Sequence, residues 1–360
     1  MHRSKGITAK IFAALILLFA TLATVAFSAD DQCGPFGDPP AKVNNGLLAG
    51  SFSSHNPVCF GGKVVGPWKD YEGSDRYACL YQPAQVSKDN PLPLIVFLHG
   101  SIATADSIKF TGLPDLVNKA DLGGKARGFI LIAPEGRYTT HYYPGVDANA
   151  LGWDNWYRQL SPSGDATVAG VTYRENLDAM AVDHFIQDEI ATGNVDTRRI
   201  FVMGWSNGAA MGLLYALNRP SIAAAAVYSA PDPFGAFNDP CSQTPVNHAP
   251  ASNAELQLFN PHAALMHVRN SCDIGGICPN GNLFASQARA VGANVDDVIL
   301  DPDGNKVSAC DDTCGTDPMA KGVVGASGSA RGLAHHIRWP AAYNSAMLDF
   351  LKQHPLASAK

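Results

Sequence analysis

An α/β class, with a mostly parallel sheet covered by helices on both faces, is predicted by three observations. Short apolar runs alternate with stretches of helical periodicity from residue 92 to the end of the chain. Two of those runs, 92–100 and 128–136, are almost wholly apolar and close on turn signals, as strands buried on both faces do. A third, 200–203, passes through Gly204-Trp205-Ser206-Asn207-Gly208 straight into the small-residue stretch 209–214. A serine held there sits on a strained strand-to-helix turn, and only glycine-sized neighbours let the backbone fold so tightly.

Each element follows in order. Residues 1–28 read as a signal peptide: Arg3, Lys5 and Lys10 precede an apolar run over 11–27, and Ala26-Phe27-Ser28 offers small residues at the cleavage positions. Cys33 lacks the apolar tetrapeptide of a lipoprotein signal, and no later run is long enough to span a bilayer. The expected product is secreted, periplasmic or extracellular, with no membrane contact after cleavage. Residues 29–70, rich in Gly, Pro, Ser and Asn, read as an irregular, disulfide-containing lead-in, and 71–360 as one catalytic domain. After the two apolar strands, Leu177, Ala181, Phe185 and Ile190 recur at helical spacing within 175–193. Strands are expected at 222–229, 263–268 and 295–300, with helices at 282–292 and 341–353. Three excursions, 137–173, 231–262 and 303–334, are too long for plain connections and read as working loops or lids.

Composition narrows the function classes. Hydrophobic residues make up 46% and charged residues 16%, enough for a large core. A net charge of -6 disfavours nucleic acid and anionic membrane surfaces as partners. All eight cysteines lie beyond the signal, which in an exported chain reads as disulfides. The short separations 272/278 and 310/314 suggest closure of small loops. Neither a Cys-x-x-Cys pair nor a zinc-spaced Cys/His cluster occurs, so no metal is expected. Asp301-Pro-Asp-Gly-Asn305 opens like a calcium loop, but its glycine is misplaced and the closing Glu is missing, so it reads as a tight turn.

A serine hydroxyl needs a base to take its proton and an acid to hold the base's tautomer. In α/β-hydrolases, whose serine turn this one resembles, the acid and then the histidine follow on loops after later strands. Asp273, in the turn after 263–268, is the acid candidate, with Asp232 as its rival. His336, three residues before Trp339-Pro340, is preferred as base over His335. The backbone N–H groups of Asn207 and of Ser101, or Ile102, are the expected oxyanion donors. His99 reads as a structural hydrogen-bonder. Trp205 flanks the nucleophile, and the excursion 137–173 carries Trp153 and Trp156 among several tyrosines, so these rings are expected to bind substrate.

His99-Gly100, Gly204-x-Ser206-Asn207-Gly208, the Asp273 turn and a histidine shortly before Trp339-Pro340 resemble the secreted polyhydroxybutyrate-depolymerase and feruloyl-esterase branch of the α/β-hydrolases, over residues 70–355. Gly152-Trp153-Asp154-Asn155-Trp156, the cysteines beside the acid loop and the His-x-x-Trp-Pro ending are similar to oxidised polyvinyl alcohol hydrolases. Ala209 stands where depolymerases commonly carry a second glycine, and no cysteine abuts Ser206 or either histidine. The resemblance implies an α/β-hydrolase fold and a Ser/His/Asp enzyme, without cofactor, that cleaves an ester, often within a polymer, through an acyl-enzyme. A β-diketone hydrolase would use the same parts. A catalytically silent hydrolase fold serving as a binding protein is the rival of another class. The sequence leaves the oligomeric state open.

Overall fold

The computed structural model describes residues 57–70, 75–101, 103–139, 150–153, 166–168, 171–173, 177–233, 260–274, 276–314 and 330–357. The expected signal peptide, Cys33, Cys241 and most of the three excursions lie outside them. In chain order the principal strands are β1 (Lys63–Lys69), β2 (Asp75–Tyr81), β3 (Leu92–Leu98), β4 (Ile130–Pro134), β5 (Val195–Trp205), β6 (Ala224–Tyr228), β7 (Ala264–Asn270), β8 (Asn294–Leu300) and β9 (Lys306–Val307). They form one sheet in the order β1-β2-β4-β3-β5-β6-β7-β8-β9. Every pairing from β4 to β8 is parallel, whereas β1, β2 and β9 join antiparallel at the two edges. Two short hairpins, Arg137–Thr139 with Ala150–Gly152 and Ala166–Val168 with Val171–Tyr173, stand apart from it.

The apolar runs become strands because both of their faces are covered. All seven residues of β3 and all five of β4 are buried. Leu94, Val96, Leu98 and Val202 pack with residues of the helices α1 (Leu177–Ala191), α2 (Asn207–Asn218) and α3 (Ile277–Ala290), among them Val182, Phe185, Leu213 and Phe284. Their neighbours Ile95, Phe97, Phe201 and Met203 turn the other way and pack with Met347, Leu348 and Leu351. Those three belong to α5 (Asn344–Gln353), which follows α4 (Ala330–His336). Each such side chain contributes on the order of 1.5–3 kcal/mol by leaving water.

Several boundaries differ from expectation for identifiable reasons. The last residues of the expected irregular lead-in form β1, an edge strand with no fully buried residue, so no apolar run marks it. Helix α3 starts at Ile277 rather than near 282, opened by Gly276 in the left-handed region at φ 69°. Its first turn holds Cys278, Pro279 and Gly281, which hide the helical stripe in sequence; Ile277, Cys278, Gly281, Phe284, Ala285 and Ala288 nonetheless share its buried face. The terminal helix begins with a 3-10 turn at Ala341–Tyr343 and becomes α-helical at Asn344. Asp301 accepts the N–H groups of Asp303 and Asn305, which is the expected tight turn.

The cysteines pair differently from the expected small loops. Cys272 bonds Cys314 and Cys278 bonds Cys310, so both bridges fasten the segment after β7 to the segment after β9. Because β7 and β8 are parallel neighbours, their following loops emerge on the same edge of the sheet, where cysteines distant in sequence can meet. Cys59–Cys79 ties the turn before β1 to β2. Buried charges complete the scaffold. Arg76 of β2 lies 2.5 Å from Asp178 of α1 and 3.3 Å from Asp70, and donates to the carbonyl of Glu135. Arg269 of β7 clasps Asp297 of β8 through Nη2 at 2.5 Å and Nε at 3.1 Å, and also donates to the Cys278 carbonyl at the start of α3.

Candidate active site

Ser206 lies between β5 and α2 with φ 56° and ψ -122°, a region that costs a non-glycine residue on the order of 1–3 kcal/mol. Its neighbours have no room for side chains. A Cβ on Gly204 would lie 2.4 Å from the Gly208 carbonyl oxygen, and one on Gly208 would lie 2.2 Å from that of His99. The tight approach of α2 to the ends of β3 and β5 is therefore what the two glycines permit. Ser206 donates its backbone N–H to the Tyr228 carbonyl at 3.0 Å, while its own carbonyl accepts from Ala209 and Ala210.

Three side chains meet at this turn: Ser206, Asp273 from the loop after β7, and His336, the last residue of α4. Ser206 Oγ is 2.7 Å from His336 Nε2, and His336 Nδ1 is 2.7 Å from Asp273 Oδ1. The His336 side chain is 10% exposed and that of Asp273 wholly buried, so the chain of contacts runs from the surface inward. Asp273 Oδ1 also accepts the N–H of Ile274 at 2.8 Å. The His336 nitrogen remote from the serine thus meets Asp273, not Asp232, which is buried after β6. His335 faces elsewhere: its Nδ1 donates to the Cys272 carbonyl at 3.1 Å.

The histidine pair is clamped from below. Trp205 Nε1 donates to the His336 carbonyl at 2.8 Å, and the Tyr228 hydroxyl to that of His335 at 3.0 Å. Trp339 packs edge-on against both rings. Trp205, expected to bind substrate, is thus hydrogen-bonded to the histidine segment. Trp153, also expected to bind substrate, is instead fully buried in the core and donates its indole N–H to the His99 carbonyl at 2.7 Å. The Asn207 side chain holds it there, accepting the Trp153 N–H at 2.6 Å and donating to its carbonyl at 3.2 Å. Trp156 and Ile102 lie outside the described residues.

The strand end at His99-Gly100 brings Ser101 to the serine turn; a Cβ on Gly100 would be 3.3 Å from Ser206 Cβ. The Asn207 backbone N–H lies one residue beyond the serine, at the first position of α2. His99 is fully buried, with Nδ1 against the Gly100 carbonyl at 2.8 Å and Nε2 accepting the Gly136 N–H at 2.9 Å. Burial pushes its pKa down to about 4, and a ring whose second nitrogen already accepts from an amide has no place for another proton. Glu135 next to it is pushed up to about 8, chiefly by burial, and accepts the Ala105 N–H at 2.7 Å. Asp106 accepts the N–H groups of Val58 and Cys59, fastening the disulfide-bonded turn to the segment behind Ser101.

One member of the site was not singled out in the sequence. Ser229, directly after β6, is fully buried at φ 60°, donates its hydroxyl to Asp273 Oδ2, and lies 3.2 Å from His336 Nδ1. Its only sequence signal is a position at the end of a strand adjacent to β5.

No protein-family model matches the sequence, and a search of curated proteins returns no match. Among solved structures, an S-formylglutathione hydrolase from Agrobacterium tumefaciens is similar at a TM-score of 0.51 and 12% identity, with 83% of this chain covering 98% of that one. A thermostable esterase aligns at 15% identity and a TM-score of 0.49; 83% of this chain covers 64% of its length. A ferulic acid esterase aligns at 13% identity and 0.48, over 81% of this chain and 98% of that one. The parallel sheet with antiparallel β2, the serine turn between β5 and α2, and the likeness to the S-formylglutathione hydrolase together establish an α/β-hydrolase fold.

Proposed function

We propose that this chain is a serine hydrolase that cleaves carboxylic esters through an acyl-enzyme. The observation that carries the reading is the continuous contact Ser206 Oγ, His336 Nε2, His336 Nδ1, Asp273 Oδ1, each link 2.7 Å. His336 takes the Ser206 proton as Oγ attacks the ester carbonyl. The backbone N–H groups of Asn207 and Ser101 receive the oxyanion. Collapse of the tetrahedral adduct breaks the ester C–O bond, and the leaving alkoxide takes the proton from His336 Nε2. Water then repeats the sequence on the acyl-enzyme, its proton passing to His336 and on to Ser206 as the acid departs. Asp273 holds the imidazole in the tautomer with Nδ1–H and balances the imidazolium charge.

The substrate in this proposal is an ester within a hydroxyalkanoate-type polyester or a feruloyl-type aryl ester, on the strength of the sequence motifs described above. Export is part of the same reading. The three disulfides among the described residues fit an oxidising compartment, and no helix there is long and apolar enough to cross a membrane.

The test compares p-nitrophenyl ester turnover by the wild type, Ser206→Ala, His336→Ala and His335→Ala. The first two substitutions are expected to reduce kcat by at least about 10³-fold, and the third by less than about tenfold. Turnover that survives Ser206→Ala would reject the reading, and a wild type inert on short esters, feruloyl esters and polyhydroxybutyrate film alike would favour a silent binding protein.

A further inference from the structure

We infer that Ser229 is a positioning residue of the proposed triad, its hydroxyl holding the Asp273 carboxylate in the plane where His336 can use it; the inference rests on the reading of the preceding section. Asp273 has two oxygens and a fully buried side chain, so each oxygen needs a donor. Oδ1 has two, His336 Nδ1–H and the Ile274 N–H. Oδ2 is met by the Ser229 hydroxyl. A carboxylate gripped at one oxygen alone can rotate about its Cβ–Cγ bond; gripped at both, it cannot. The Ser229 oxygen also lies 3.2 Å from His336 Nδ1. Its single proton is directed to Asp273, which leaves a lone pair facing the imidazole N–H as a second acceptor when the imidazolium forms.

The backbone gives a separate reason to look for a role in this side chain. Ser229 is one of three non-glycine residues with positive φ among the described residues, and it is fully buried. Glycine would take that conformation without strain and would keep the N–H that Ser229 donates to the Val268 carbonyl at 2.8 Å. What serine adds at this strained position is one hydroxyl, placed between the acid and the base.

The experiment measures kcat, KM and the pH profile for p-nitrophenyl butyrate with Ser229→Ala, Ser229→Gly and Ser206→Ala, alongside thermal melts. Ser229→Gly relaxes the backbone while removing the hydroxyl, so it separates loss of the contact from loss of the fold. Both Ser229 variants are expected to lose about 10- to 100-fold in kcat, the range of one hydrogen bond to a charged group, with KM within about twofold of wild type. The acid limb of the kcat profile should move in both variants, because the hydroxyl that is lost faces both the carboxylate and the imidazole. Wild-type kcat in Ser229→Gly would overturn the inference, as would a kcat loss with an unmoved pH profile, which marks a purely structural role. Should Ser206→Ala retain turnover, the triad itself fails and the inference with it; abolished turnover there beside full activity in Ser229→Gly rejects the role of Ser229 alone.

Discussion

Gly208→Ala sets two effects of opposite sign against each other. Position 208 is in the first turn of α2, where alanine gains up to about 1 kcal/mol over glycine in helix propensity. Yet a Cβ there would lie 2.2 Å from the His99 oxygen and 2.3 Å from the Leu98 oxygen, well inside the 3.0 Å that Cβ atoms respect. Both atoms are backbone at the end of β3, so no rotamer change relieves the clash. The first turn of α2 and the end of β3 must separate by roughly an ångström, a distortion of the kind that costs on the order of 1–3 kcal/mol or more. Overpacking outweighs propensity, for a net loss of about 2 kcal/mol and a fall in Tm of about 3 °C. The same displacement carries Ser206 away from His336 and Ser101 away from the serine turn. Misplacement on that scale reduces kcat about 100-fold. Gly212→Ala is the control: in the same helix, its Cβ would meet only side chains, Val202 Cγ1 at 3.0 Å and Val227 Cγ1 at 3.5 Å. It should stay within about 1 kcal/mol of wild type and keep its turnover. Thermal melts and p-nitrophenyl butyrate kinetics on the two variants decide the matter. If Gly208→Ala melts at or above the wild type with unchanged kcat, the packing account of the serine turn is wrong.

Three further outcomes follow from the geometry. Asp273→Asn should lower kcat by about 10³- to 10⁴-fold at constant KM while Asp232→Asn stays within about threefold; equal losses would remove the basis for choosing Asp273. Glu135, raised to about 8 from its ordinary 4.5, gives its full stability below pH 4.5 and loses it as pH rises toward 8, so Glu135→Gln, which keeps an acceptor for the Ala105 N–H, should match wild type near pH 4 and exceed it by roughly 3–5 kcal/mol at pH 8. Urea melts at the two pH values check this, and parallel curves would count against it. His99 acts with the opposite sign, losing stability as pH falls from 6.5 toward 4, so the two contributions oppose each other between pH 4.5 and 6.5 and Glu135 alone acts above it. Cys272→Ser/Cys314→Ser opens a link whose loop the intact Cys278–Cys310 bridge shortens to about 10 residues, and it should cost about 3 kcal/mol and most of the activity, since Cys272 precedes Asp273. Cys59→Ser/Cys79→Ser, across 20 residues and away from the acid loop, should cost about 3 kcal/mol with kcat intact at a temperature where it stays folded.

The parts of the fold legible in sequence are those whose burial is symmetric. β3 and β4 are covered on both faces, so their residues are uniformly apolar and announce themselves. β1 has an exposed edge and a mixed pattern, and the strand disappears into what reads as an irregular lead-in. Helix α3 was half hidden for a related reason. Gly281 belongs to its buried face because a Cβ there would collide with Arg269 Cδ at 2.6 Å, so a glycine that reads as a breaker is a packing requirement. The cysteine pairing was out of reach because it depends on which loops share an edge of the sheet, a property of strand order that spacing along the chain does not carry.

The candidate site divides along the same line. That Ser206, Asp273 and His336 meet is legible because each follows a strand or precedes a helix in a fixed chain order, and a motif with that order constrains the meeting point without coordinates. Trp153 was misread because a tryptophan in a loop-like stretch looks available to a substrate. Its place depends on Asn207, more than fifty positions away, whose amide grips both backbone groups of residue 153. Ser229 had no motif at all. Its place comes from β6 lying between β5 and β7, so that the residue just past the end of β6 stands between Ser206, carried by one neighbour, and Asp273, carried by the other. In this chain the side chain at that position faces the carboxylate. A small donor in a strained backbone is one of few residues that can fill it without displacing the acid, which is why the loss of one hydroxyl there should be felt in kcat more than in the fold.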